Sequence, residues 1–286
     1  MKISRLGIVA NVNKDEMKRI LEDVVSLVPE GVSLVGPADT AALLPGGRIE
    51  AAPDLGGCDA AVALGGDGTF LRAARIVEHQ QIPLLGIKVR SLGFLTEDDP
   101  KEAMRDLFSG RCVVQERMRL EMTVEDGDPG EVYTALNDVV VHGAGVSRVL
   151  HLSTYVDDML LGEYCADGVI VSTPTGSTAY NLSAGGPILS ANLSAIVITP
   201  LCPHSLSFRP IVIDAGSRVE VCCTRVNEGT TVSIDGQVSR TLAAEDVVKI
   251  AREASSFLVV NNPMRTPWQT LASKLGWAER PKYERP

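Results

Sequence analysis

The sequence predicts an α/β domain built on a parallel sheet, then a mostly β domain, then a C-terminal stretch that returns to the first domain. Three observations predict this. Up to residue 111, short apolar runs alternate with segments of helical spacing. Beyond it, β-type runs follow one another with turn residues between them, and helical spacing resumes only at 268–276. Strands that alternate with helices need crossover connections, which place helices on both faces of a parallel sheet.

The elements follow in order. Residues 6–10 form an apolar run that stops at Asn11 and reads as a short buried strand. In 14–27, Met17, Ile20, Leu21, Val24 and Leu27 recur at the spacing of one helix face. The same strand-then-helix pattern recurs at 59–64 with 69–78, and at 82–87 with 100–108. After Arg111 the strand-like runs include 119–124, 152–156, 169–172, 219–223 and 231–234. Turn signals such as Asp126-Gly127, Asp214-Ala215-Gly216 and Asp235-Gly236 separate them. The expected organisation is an α/β domain over 1–111, a β-rich domain over 112–262 and a tail over 263–286 that packs on the N-terminal domain.

Bulk properties narrow the function classes. A chain of 286 residues suits two domains, and its 45% apolar and 22% charged residues are ordinary for a folded soluble protein. A formal net charge of −9 argues against a general basic surface for nucleic acid or an anionic membrane, while leaving room for a local cationic pocket. The six cysteines, Cys58, Cys112, Cys165, Cys202, Cys222 and Cys223, contain no Cys-x-x-Cys pair and read as reduced thiols of a cytoplasmic protein. The apolar run at the N-terminus is broken at Gly7 and is too short for an export signal. No segment approaches the roughly 20 apolar residues of a membrane span. The expectation is a soluble cytoplasmic protein with neither a nucleic acid nor a membrane as partner.

Two clusters carry chemistry. The first is Gly65-Gly66-Asp67-Gly68-Thr69, set between an Ala/Val/Leu strand and a helical run. Such a turn lies at the carboxyl end of a sheet strand, where open α/β folds bind ligands. Its glycines let backbone amides approach a phosphate or sugar, and the helix N-terminus beyond favours anions. It is neither a Walker loop, since no Gly-Lys-Ser/Thr follows, nor a Gly-x-Gly-x-x-Gly fingerprint. Taken alone, it reads equally well as a tight turn with Asp67 or Thr69 as a helix cap. The second cluster, at 167–188, reads DGVIVSTPTGSTAYNLSAGGPI. Hydroxyls, bare amides and the aromatic Tyr180 are what a polyhydroxylated nucleotide needs.

Together with LNDVVVH at 136–142, these clusters closely resemble the NAD kinase family. The pieces SLGFLTE at 91–97, ITPLCPHSLSFRPIVI at 198–213, IDGQ at 234–237 and the terminal SKLGW extend the resemblance over nearly the whole chain. It implies phosphorylation of the adenosine-ribose 2′-hydroxyl of NAD to give NADP. The donor would be ATP, or another nucleoside triphosphate or polyphosphate, with a divalent cation, Mg2+, carried on the phosphates. It further implies that Asp67 is the catalytic base and that Gly68 and Arg72 line the nucleotide. Asn137 and Asp138 would hold ribose hydroxyls. Asp167 with Thr178, Ala179, Tyr180, Asn181, Leu182 and Ser183 would line the dinucleotide pocket, and Arg148, Cys165 and Gln237 fall at further binding positions. A homodimer or homotetramer is implied, with the pocket completed near a subunit contact.

The pattern departs from the family at two places. Where members carry Gly-x-Asn-x-Gly, this chain has Gly86-Ile87-Lys88-Val89-Arg90, replacing an amide and a glycine with two cations. These either meet donor phosphates or face water. Cys165 occupies a position that is arginine in some members and glycine in others; its small side chain resembles the members that accept NADH or alternative donors, and it reads equally as a space-filling cysteine. Two rivals bound the reading. A lipid kinase sharing GGDGT would need a membrane-facing amphipathic stretch, and none is visible. A non-catalytic dinucleotide sensor would keep the pocket without the chemistry, which the presence of Asp67 argues against.

Overall fold

A computed structural model describes residues 2–89, 94–96, 99–125, 131–144, 149–205, 207–263 and 266–277. Arg90 and Arg148, singled out above, lie outside the described residues. The chain begins with β1 (Arg5–Ala10), α1 (Met17–Ser26), β2 (Ser33–Gly36), α2 (Ala38–Ala42), β3 (Glu50–Ala51) and β4 (Ala60–Gly65). It continues with α3 (Asp67–Ile76), β5 (Leu84–Lys88), α4 (Pro100–Ser109) and β6 (Val113–Arg117). Strands then dominate: β7 (Leu120–Val124), β8 (Tyr133–Ala135), β9 (Asp138–His142), β10 (Leu150–Val156), β11 (Met159–Ala166) and β12 (Gly168–Ser172). A 3-10 turn (Gly176–Thr178) and the single-turn α5 (Tyr180–Ser183) precede β13 (Ala195–Leu201), β14 (Ile211–Asp214), β15 (Val219–Arg225), β16 (Thr231–Ile234), β17 (Val238–Thr241) and β18 (Val247–Arg252). The chain closes with β19 (Phe257–Asn261) and α6 (Pro267–Leu275).

The structure divides into two compact units, one comprising 1–115 with 258–286 and the other 116–257. The sequence reading placed the changes at 111 and 262; the difference at the second arises because β19 belongs to the sheet of the first unit, in the strand order β3-β2-β1-β4-β5-β19-β6. β1, β2, β3, β4, β5 and β19 pair in parallel, as the alternating strand and helix segments require. β4 is buried throughout, and β1 and β5 nearly so, which is why they read as continuous apolar runs rather than alternating ones. Met17, Leu21, Val24 and Val25 of α1 and Met104 and Leu107 of α4 pack against these strands in one core. α1 starts three residues later than its periodicity predicts, and Lys14, before it, donates from Nζ to the Val89 carbonyl. Asp99 caps α4 by accepting from the Lys101 and Glu102 amides at 2.8 and 3.2 Å, and Gly110 ends it with φ 73°.

The second unit contains two six-stranded sheets, β11-β10-β15-β18-β7-β8 and β14-β13-β12-β9-β16-β17. Neighbouring strands within each pair antiparallel. Leu152, Val221, Val248 and Ile250 of the first sheet share a core with Val139, Val141, Val169, Val171, Ile196 and Ile198 of the second. These positions alternate along each strand, as in sheets that bury one face against each other. No helix among the described residues is long and apolar enough to cross a membrane.

Candidate functional site

In the first unit the site grows from the junction of β4 and α3. Gly66 is the N-cap of α3 in extended conformation, so Asp67 occupies the first helical position, where a carboxylate is favoured by the helix dipole. A side chain at Gly65 would place Cβ 2.2 Å from Thr69 Oγ1, so the turn closes this tightly only with glycine. Gly68 is exposed with nothing within 4 Å of where its Cβ would be, leaving the backbone open to a ligand. Asp67 is half-buried, and its carboxylate is bracketed by two consecutive amides: Phe94 N–H donates to Oδ2 at 2.8 Å and Leu95 N–H to Oδ1 at 3.1 Å.

Cations and polar groups collect at the same carboxyl ends of the parallel strands. Lys88, half-buried, ends β5 directly opposite Gly65 in the register. Arg72 is tied on both sides of its guanidinium: Nη2 donates to Asp39 Oδ2 at 2.5 Å and Nη1 to the Ala10 carbonyl at 3.4 Å. Asp39, in the first turn of α2, thus fixes the guanidinium near the end of β1.

In the second unit the candidate residues gather at the two ends of the β9–β12 pair, whose register sets Asp138 opposite Ser172 and His142 opposite Gly168. At the first end Asn137 and Asp138 are 7% and 4% exposed. Asp235, in the turn after β16 with φ 52°, accepts the amides of Leu136, Asn137 and Asp138 at 2.9, 2.7 and 3.0 Å. Three amides on one carboxylate fix the orientation of Asp235. Burial, and secondarily this neighbouring charge, push the Asp138 carboxyl up to about 7. The loop after β12 folds onto the same backbone: Thr173 Oγ1 donates to the Leu136 carbonyl at 2.6 Å, and a Cβ at Gly176 would sit 2.0 Å from the Asn137 oxygen. Thr175 is buried there, with a hydroxyl that has no hydrogen-bond partner among the described residues. A buried polar group of that kind marks a place for a ligand or an ordered water.

From this loop Thr178 and Ala179 are half-buried and Tyr180 and Ser183 exposed, with Leu182 between them in exposure. Asn181 is fully buried and its amide is spent internally, on the Ser177 and Pro187 carbonyls at 3.1 Å each and on the Thr199 hydroxyl at 2.7 Å. Gln237 is exposed on the turn beside Asp235. At the opposite end of the strand pair lie Asp167 and Cys165, both half-buried. Four register steps separate this end from Asp138, roughly 13 Å of strand. The Cys165 sulfur lies 3.7 and 3.8 Å from the two ring nitrogens of His151, its cross-strand partner. Among the described residues, no three His, Cys, Asp or Glu are grouped to hold a metal ion.

The model described as the ATP-NAD kinase N-terminal domain matches residues 50–109, and that of the ATP-NAD kinase C-terminal domain matches 136–262. An NAD kinase of Moorella thermoacetica is 37% identical over 278 residues, covering 96% of this chain and 89% of its own length. The chain belongs to the NAD kinase family. An NAD kinase of Geobacter sulfurreducens is 43% identical over 226 residues, 78% of this chain and 80% of that protein. The crystal structure of yeast NADH kinase complexed with NADH superposes with a TM-score of 0.88 at 26% identity, covering all of this chain (100%) and 91% of the yeast chain.

Several residues that hold these candidate positions in place are not legible in the sequence. Asp235 was legible only as half of an Asp-Gly turn, although its carboxylate organises the Asn137–Asp138 segment from almost a hundred residues away. Asp39 and the Phe94–Leu95 amides were missed for the same reason: their partners, Arg72 and Asp67, are distant in sequence. The one available signal was repetition of motif position, since 91–97 and 234–237 already belong to the family-like segments.

Proposed function

We infer that this chain transfers the γ-phosphoryl group of ATP, taken as its magnesium complex, to the 2′-hydroxyl of the adenosine ribose of NAD, giving ADP and NADP. The observation that carries the mechanism is the Asp67 carboxylate, held by two amides at a glycine-rich helix N-terminus. Each carboxylate oxygen has two lone-pair sites, and the amides use one apiece, so a position remains to accept the 2′-hydroxyl proton. The 2′-oxygen forms its bond to the γ-phosphorus as the bond to the bridging oxygen breaks. ADP leaves with that electron pair, and the hydroxyl proton passes to Asp67. Phosphoryl transfer of this kind is accelerated chiefly by positioning and charge neutralisation, so the base has to orient the hydroxyl rather than ionise it in advance. Magnesium, when bound on the phosphates, would supply charge neutralisation there.

The remaining roles follow. The open backbone at Gly68 and the Asp39-oriented Arg72 face the nucleotide, and Lys88, beside the turn, meets donor phosphates. Asn137 and Asp138 hold ribose hydroxyls, with Thr178, Ala179, Tyr180, Leu182, Ser183 and Gln237 lining the dinucleotide and Asn181 shaping their loop from beneath. Arg148 keeps the binding role that the family resemblance gives it. Cys165 and Asp167, at the end of the β9–β12 pair opposite Asp138, serve a pocket completed by a second copy of the chain. An obligate dimer or tetramer is further supported by the edge strand β11, where Met159, Leu160 and Leu161 are 71%, 53% and 41% exposed. The cytoplasm, where NAD and ATP are abundant and the free cysteines stay reduced, is the proposed compartment.

The test is to incubate the purified protein with NAD and magnesium-ATP and assign the phosphorylated position on the product by phosphorus and proton NMR. A 2′-phosphate supports the reading. Tight NAD binding with no NADP formed, from ATP, other nucleoside triphosphates or polyphosphate, and with NAD or NADH, would replace it with the dinucleotide sensor.

A further inference from the structure

The bracket on Asp67 is itself held from two sides, both within the first unit. Beneath it runs β5: a Cβ on Gly86 would lie 2.4 Å from the Leu95 carbonyl, 2.8 Å from the Phe70 ring and 2.9 Å from Thr96 Cγ2, so residues 94–96 lie directly on the strand backbone. Above it lies the C-terminal helix. Lys274 of α6 places its ammonium 4.3 Å from the centroid of the Phe94 ring, well inside the range of a cation–π contact. Phe94 is also the residue whose amide donates to Asp67 Oδ2. One side chain on the last helix therefore contacts the ring of the residue whose amide holds Asp67.

The rest of α6 is built to bring Lys274 there. Thr266 and Gln269 form a reciprocal capping box that fixes where the helix starts. Gly276, with φ 67°, ends it one turn beyond Leu271, the buried anchor of the helix. β19, immediately before, pairs with β5 through Val259 opposite Leu84 and Val260 opposite Leu85, so the same strand that supports 94–96 also guides the return of the C-terminal chain.

We propose that Lys274 is a positioning residue for catalysis: by stacking on Phe94 it holds the Phe94 and Leu95 amides against Asp67 and so sets the carboxylate for the 2′-hydroxyl. The proposal rests on the NAD kinase reading above. It does not require Lys274 to touch either substrate. Loosening the clamp therefore lowers turnover and leaves the affinity for NAD in place, because a base misplaced by a fraction of an ångström loses rate rather than binding.

The experiment compares wild type, Lys274→Ala, Lys274→Arg, Phe94→Leu and the Phe94→Leu/Lys274→Ala double variant. Steady-state kinetics with NAD and magnesium-ATP are read alongside hydrogen exchange of the 94–96 amides. Lys274→Ala is expected to lower kcat roughly tenfold with the NAD KM within about twofold, and to speed exchange at Phe94 and Leu95. Arginine, which stacks on aromatic rings equally well, restores both readouts. The double variant is no slower than Phe94→Leu alone, because the two side chains act through one contact. An unchanged kcat and unchanged exchange in Lys274→Ala overturn the proposal. So does an equal loss in Lys274→Arg, or a loss confined to KM. Failure of the function reading looks different: wild type itself then makes no NADP, while the exchange comparison still reports on the clamp.

Discussion

Replacing Asp138 with asparagine should make the protein more stable, by an amount that grows with pH. Asp138 is 4% exposed, and its backbone amide donates to the nearby Asp235 carboxylate, which three amides hold in place. Its carboxyl is raised from the ordinary 3.8 to about 7, first by burial and then by that neighbouring charge. In the folded protein the proton is therefore retained over a pH range in which the unfolded chain releases it. Stability contributed by the neutral form is complete below pH 4, declines as pH rises toward 7 and is lost above it. At roughly 1.4 kcal/mol per pH unit, the full span is about 4 kcal/mol, and the part between pH 5 and 7 about 3 kcal/mol. Asparagine keeps the size and polarity of the neutral acid and has no proton to lose. Urea unfolding of wild type and Asp138→Asn at pH 5, 6, 7 and 8 isolates the effect, since the other titrating groups cancel in the difference. The advantage of the variant should grow steadily to pH 7 and then level off. A difference that stays constant with pH, or shrinks as pH rises, would refute the argument that Asp138 is buried as the neutral acid.

Three further outcomes follow from named contacts. Gly86→Ala sets a methyl 2.4 Å from the Leu95 carbonyl and should cost about 1–3 kcal/mol in thermal unfolding, with kcat falling more than the NAD KM rises. Asn181→Ala removes two donated hydrogen bonds and one accepted bond inside a fully buried loop; calorimetry should show a loss of about 2–4 kcal/mol, and NAD binding should weaken because Tyr180 and Ser183 lose their support. Cys165→Arg should narrow the substrate profile, lowering the use of NADH and polyphosphate relative to NAD and ATP; an unchanged profile in side-by-side assays would leave Cys165 as a space-filling residue.

The fold was legible where burial is continuous. β1, β4 and β5 lie inside a parallel sheet, so their apolar runs needed no knowledge of their neighbours to be read. β11 escaped because it begins with three exposed apolar residues at a sheet edge, where neither alternation nor continuous burial shapes the sequence. β19 was assigned to the β-rich domain because nothing local distinguishes a strand that pairs with its neighbours from one that returns to β5 in parallel. The site divides along the same line. Asp67, Gly68 and the 178–183 loop announce themselves through composition and motif. Asp39, Asp235 and Lys274 act through contacts with residues far away in the sequence, and Gly86 through backbone packing that no local pattern announces; only the folded chain brings them to their partners. Asn181 shows the converse: a residue inside a legible motif can turn its side chain away from the ligand and into the scaffold.

The central claim is that Asp67 accepts the proton of the NAD 2′-hydroxyl. The most direct measurement is single-turnover NADP formation by wild type and Asp67→Asn at saturating NAD and magnesium-ATP, with NAD binding measured separately for each. Asparagine can accept from only one of the two bracketing amides and is a far weaker proton acceptor, so NAD affinity is predicted within a few-fold of wild type and the rate reduced by roughly 10²–10⁴. A variant that binds NAD and forms NADP at close to the wild-type rate would contradict the claim.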